Sequence, residues 1–176
     1  MNLDMTAAHQ ERVARIAVGA STARNQGGPG VVAAARQFFA GLDLRRFARR
    51  NARRYRAELD MATDELLGRL PPVAASWGLA RKLLNIFIRD ASYHVVLNAE
   101  YGLLDRAGRH MELPLDSLTA AGLKRALERG ALPGWPGVKN VQPVLSARYQ
   151  QAAAQVASRA GIRRVDLDVP WWGVRR

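Results

Sequence analysis

The chain has 176 residues and is strongly basic, with 27 Lys and Arg against 15 Asp and Glu, a net charge of +12. Hydrophobic residues make up 48%, outside the disordered range, and the length suits one domain that buries its own core. The absence of cysteine excludes disulfides and thiolate metal sites, and three scattered histidines (His9, His94, His110) give no zinc-site spacing.

A charge imbalance of this size predicts a polyanionic partner, either nucleic acid or an anionic membrane surface. No apolar run approaches the roughly 18 residues of a membrane span. The first ten residues carry Asp4 and lack the basic-then-apolar order of a signal peptide. The expectation is a cytoplasmic, nucleoid-associated protein with no membrane segment, metal or diffusible cofactor.

Residues 6–20 read as a first helix, with Val13, Ile16, Ala17 and Ala20 on one side. Asn25 to Gly30 breaks it without the Lys-Ser/Thr ending of a phosphate loop. Val31 to Ala40 forms a second helix closed by Gly41. Asp43 then caps a long third helix reaching about Leu70. Its first half carries Arg45, Arg46, Arg49, Arg50, Arg53, Arg54 and Arg56, while Leu44, Phe47, Tyr55 and Leu59 face inward. Most charge runs are solvated faces, but seven arginines without interspersed acids repel one another and suit phosphate contact.

Pro71-Pro72 ends that helix and Ser76 caps the next, which is apolar nearly all round from Leu79 to about Tyr101. One polar stripe interrupts it: Lys82, Asn85, Arg89 and Ser92 or Tyr93 recur at helical spacing. Polar groups on a central helix require partners, water or a ligand, so a groove along this face is expected. An irregular return, 103–113, leads to Pro114-Leu115-Asp116-Ser117 and a helix from Leu118 to Arg129. A rigid Pro/Gly loop around Trp135 follows, then a helix from Leu145 to Ala160. The tail from Ile162 reads as a short strand or extended packing segment. The fold class is all-α: a single compact helical domain over 1–176 with little or no sheet.

Lys82 is the only lysine among the first 123 residues of a chain that otherwise uses arginine. Arginine stays protonated, whereas a lysine can be tuned into a neutral amine nucleophile. About two turns inside a helix N-terminus, beside Arg81 and apolar neighbours, its pKa is pushed down. A lysine snorkelling from a helix end is the plainer reading.

Leu67-Gly68-Arg69-Leu70-Pro71, followed by Gly78-Leu79-Ala80-Arg81-Lys82, outlines two helices joined by a tight connection, and Pro114-Leu115-Asp116 follows 34 residues after the lysine. This resembles the helix-hairpin-helix superfamily of DNA base-excision glycosylases over residues 62–120, in particular the 8-oxoguanine glycosylase-like branch. The connection here, Pro-Pro-Val-Ala-Ala-Ser-Trp-Gly, is longer and poorer in glycine than the family's hairpin. The resemblance implies a monomeric glycosylase with AP-lyase activity on double-stranded DNA carrying an oxidised purine, most simply 8-oxoguanine. Lys82 would be its nucleophile and Asp116 its catalytic carboxylate, although Asp116 is equally suited to cap the next helix. Trp77, Asn85, Arg89, Tyr93, Trp135, Trp171 and Trp172 are candidates for the pocket that holds a flipped base. Arg45, Arg46, Arg49, Arg50, Arg53, Arg54 and Arg81 are candidates for DNA phosphates. The competing expectation is a non-enzymatic basic DNA-binding protein.

Overall fold

A computed structural model describes residues 4–19, 22–23 and 28–172. Their elements are helices α1 (Met5–Ala17), α2 (Val31–Ala40), α3 (Ala52–Leu67), α4 (Trp77–Tyr93), α5 (Val95–Tyr101), α6 (Leu103–Ala107), α7 (Ser117–Ala126), α8 (Pro143–Ala160) and α9 (Asp168–Trp172). Four short 3-10 turns lie between them, at Leu44–Phe47, Gly108–His110, Val138–Asn140 and Arg164–Leu167, and no strand occurs among the described residues. The domain is all-helical.

α4 is the hub, as its all-round apolar pattern predicts. Ser76 accepts from the Leu79 amide to start it, and Leu79, Leu83, Leu84, Phe87 and Ile88 are fully buried. α1, α2, α3, α5, α6 and α8 all pack on it. Phe87 stacks on Phe39 of α2 with ring centroids 4.5 Å apart. Gly78 is required at its first turn: a Cβ there would stand 2.1 Å from the Val138 carbonyl oxygen. A second, smaller cluster gathers Leu113, Leu123, Tyr149 and Leu167, and Trp135 packs against both clusters.

The long basic helix expected from Asp43 to Leu70 is broken. Leu44–Phe47 forms a 3-10 turn, residues 48–51 are irregular, and Asn51 caps α3 by accepting from the Arg54 amide. The break lets two buried aromatics meet, Phe47 edge-on to Tyr55 at 6.5 Å. It also folds Arg46 back onto Glu58 and Glu65, at 3.0 and 2.9 Å. In a straight helix Arg46 and Glu65 would stand about 28 Å apart, so their pairing depends on the break.

The central helix also ends earlier than its pattern suggests. His94 is extended (φ −78°, ψ 118°) and separates α4 from α5. The return 103–113 contains α6 and a 3-10 turn rather than irregular chain. The tail, expected as a short strand or an extended packing segment, instead forms the Arg164–Leu167 turn and α9, because Asp166 takes the Arg163 amide and guanidinium into a tight turn. α9 is anchored at both ends of its short length. Asp168 pairs with Arg89 of α4. Trp171 lies so close over Gly122 of α7 that a Cβ there would meet its ring at 2.4 Å.

Candidate functional site

Two helix starts define the site. Lys82 stands in the second turn of α4, and Asp116 is the residue from which α7 begins. Asp116 Oδ1 accepts from the amides of Leu118 and Thr119 at 2.9 and 3.0 Å, and the Thr119 hydroxyl answers by accepting from the Asp116 amide. Its other oxygen, Oδ2, faces Lys82 Nζ at 3.8 Å. Capping and proximity to the amine therefore coexist in one carboxylate.

The amine is nearly enclosed, with 9% of the Lys82 side chain exposed, and Nζ donates to the Thr22 carbonyl oxygen at 3.1 Å. Burial pushes its pKa below the ordinary lysine value, with the Asp116 charge opposing that shift. A cavity of about 240 Å³ opens onto both groups, walled by Ile16 and Ala17 of α1, Ile86 and Arg89 of α4, and Asp168 of α9. Asp90, on the same wall, has its carboxyl pushed up by burial, with its partner Arg89 opposing. Among the described residues no group of three metal-ligating side chains occurs.

The other candidates for a base pocket scatter. Arg89 lines the cavity, but its guanidinium is spanned by Asp90, at 2.8 Å, and by Asp168. Asn85 donates to Glu112 at 3.3 Å. With Trp77 and Lys82 it lines a separate crevice of only about 10 Å³, room for no more than about one water. Tyr93 bonds Asp166 at the far end of α4. Trp135 packs edge-on to Tyr149 at 5.3 Å in the smaller core cluster, and Trp171 covers Gly122. The side chain of Trp172 lies outside the described residues. No tryptophan side chain among the described residues lines the 240 Å³ cavity between Lys82 and Asp116.

The arginines divide as well. Arg81 does not face solvent. It is 3% exposed, and its fork grips Glu112 at 2.9 and 3.2 Å, Asp60 at 2.8 Å and the Thr63 hydroxyl at 2.9 Å. Its expected role in gripping phosphate is replaced by an internal one, because α3 and the 111–115 segment bring two acids to it. Arg45 pairs with Asp43, Arg46 with Glu58 and Glu65, and Arg49 with Glu58 at 3.6 Å. The run is thus partly neutralised by acids distant in sequence. Arg50, Arg53 and Arg54 are exposed and form no ion pair among the described residues.

Glu112 is the residue that sequence reasoning passed over. It is 2% exposed and binds Arg81 and Asn85, with Arg56 at 3.5 Å. Burial alone would raise its carboxyl; Arg81, with Arg164 and Arg56 behind it, holds the pKa below the usual value. Its signal was available: a lone acid in the otherwise uncharged stretch Met111–Leu115.

No helix among the described residues is long and apolar enough to cross a membrane. No family model, curated protein or solved structure matches the chain.

Proposed function

We propose that the protein is a DNA base-excision glycosylase with lyase activity that removes an oxidised purine, 8-oxoguanine being the simplest substrate. One observation carries the reading: a half-starved ammonium at Lys82 meets the Asp116 carboxylate at 3.8 Å on the wall of a 240 Å³ cavity. The resemblance of the Leu70-Pro71, Lys82 and Pro114-Leu115-Asp116 elements to the glycosylase superfamily supports it, as does the net charge of +12.

In this reading Asp116 takes the ammonium proton and Nζ attacks the sugar C1′ carbon. The glycosidic electron pair leaves with the base, which takes from Asp116 the proton that came from the amine, so the carboxylate is charged again and faces the cationic sugar amine. Transfer of a proton from Nζ to the ring oxygen then opens the ring and leaves a Schiff base between Lys82 and the sugar. Arg50, Arg53 and Arg54 contact phosphates of the duplex.

Borohydride trapping tests this directly. A duplex containing 8-oxoguanine should yield a covalent adduct that Lys82→Gln abolishes. Duplex binding without an adduct would replace the enzyme by a non-enzymatic DNA-binding protein. That second reading is favoured by one observation, the lack of a tryptophan on the described cavity wall.

A further inference from the structure

A recess larger than the one at Lys82 lies elsewhere on the described residues. A cleft of about 430 Å³ lies between the first turns of α3, the Gly108–His110 turn, the end of α8 and the turn that follows it. Arg56, Arg109, Arg163 and Arg164 line it, and Glu112 is the one acid among its lining residues. None of these residues lines the Lys82 cavity.

The charges in this cleft do not cancel. Both Glu112 oxygens are bound by Arg81; Arg56 shares one of them at 3.5 Å and has Asp60 at 3.8 Å. Arg163 has Asp166 at 2.8 Å. Arg164 has no carboxylate within salt-bridge distance among the described residues. It donates instead to the carbonyls of Met111, Gln150 and His110, at 3.0, 3.4 and 2.7 Å. Carbonyls fix a guanidinium in place without neutralising it, so a cation is held rigidly at the wall. Arg109 is exposed and makes only a 3.5 Å contact with the Arg50 carbonyl, leaving its fork free to turn inward.

Two further features point the same way. Ala52, the first residue of the 16-residue helix α3, lines the cleft and brings the positive end of that helix to it. Tyr55, 2% exposed, also lines it, and its hydroxyl has no hydrogen-bond partner among the described residues. An unpaired buried hydroxyl costs stability, and a water or a polar ligand entering beside it would relieve that cost.

We infer that this cleft is a binding site for a phosphate monoester of nucleotide size, with Arg56, Arg109, Arg163 and Arg164 gathered around its dianionic group. Guanidinium forks match phosphate oxygens in pairs, and four arginines on one cleft, two of them without a carboxylate partner among the described residues, suit a dianion better than the single charge of a phosphodiester. A volume of 430 Å³ falls in the range of small-ligand sites. The monoester is either a free nucleotide or the phosphorylated end of a strand.

Calorimetric titration of the full chain with AMP, and with adenosine as the phosphate-free control, tests the assignment. AMP should bind at one site and adenosine should not. Arg109→Ala should weaken AMP about tenfold, the loss of one charge-assisted contact. Arg129→Ala removes an arginine from another recess and should leave binding unchanged. Unfolding midpoints of both variants should match the parent, since Arg109 and Arg129 are exposed. If an end-phosphorylated oligonucleotide displaces AMP and its hydroxyl-ended twin does not, the ligand is a strand end. If neither displaces it, the ligand is the free nucleotide. No saturable AMP binding at low salt, or equal weakening by both substitutions, would overturn the site. None of these measurements involves damaged DNA, so their failure leaves the Lys82 adduct test standing, and the reverse holds.

Discussion

Asp116 gives one carboxylate oxygen to the backbone of α7 and the other to Lys82, so the same side chain starts a helix and faces a buried amine across 3.8 Å. The two duties can be separated by substitution. Asparagine caps helices about as well as aspartate, so Asp116→Asn should lose only the charge that faces Lys82, at most about 1 kcal/mol in urea. Base excision by the same variant should fall at least about 100-fold, the lower range for a positioned acid or base. Asp116→Ala should lose the cap as well, about 1 kcal/mol. Equal excision rates for the parent and Asp116→Asn would remove the carboxylate from the chemistry.

The buried amine sets a pH dependence. Burial lowers the Lys82 pKa in the folded state, so the unfolded chain binds more protons between that lowered value and the ordinary lysine value. Stability contributed by this group therefore rises with pH across that window and is lowest below it. Comparing urea unfolding of the parent with Lys82→Met through the alkaline range should show the parent gaining relative to the variant. The rate of adduct trapping should rise over the lower end of the same window, as the free amine appears. A rate without pH dependence there would argue against amine attack.

Glu112 is the most costly single residue to neutralise. Glu112→Gln leaves the Arg81 guanidinium, 3% exposed, with only Asp60 for a charge partner, and should cost about 3–5 kcal/mol in urea unfolding. Because its folded pKa is depressed, the stability it provides is present above the ordinary glutamate range and is lost as pH falls through the folded value. Acid unfolding of the parent should therefore be steeper than that of a double variant, Arg81→Met with Glu112→Leu, which removes both charges together.

Two glycines should behave very differently when given a methyl group. Gly78→Ala places Cβ 2.1 Å from the Val138 carbonyl oxygen and should destabilise by about 1–3 kcal/mol, as overpacking does. Gly134→Ala meets nothing within 4 Å and should stay within about 0.5 kcal/mol of the parent. Thermal denaturation of the pair checks whether the 138–140 turn truly rests on α4.

Which parts of this arrangement the sequence discloses follows from the range of each interaction. Ser76 and Asp116 announce helix starts because capping is settled within three residues. The all-round apolar pattern of α4 marks a hub for the same local reason. The break after Phe47 is not visible locally, since it is decided by Phe47 meeting Tyr55 and by Arg46 reaching Glu65, 19 residues on. Arg81 looked like a surface cation beside other cations, and only the folding of residues 60 and 112 against α4 makes it internal. The tail carried alternating apolar residues, yet the Asp166 turn and the seat offered by Gly122 made it helical. Aromatic residues were the least legible: nothing in their neighbours distinguishes Trp135, which fills a core, from one that lines a cavity.

Among the described residues α9 forms no hydrogen bond or ion pair with the amine or the carboxylate, yet it is bolted to both of their helices, through Asp168 to Arg89 on α4 and through Trp171 to Gly122 on α7. The gap between Lys82 and Asp116 is accordingly inherited from a five-residue strut behind them. Loosening that strut at Asp168, or its seat at Gly122, retunes the amine with neither residue of the pair itself substituted.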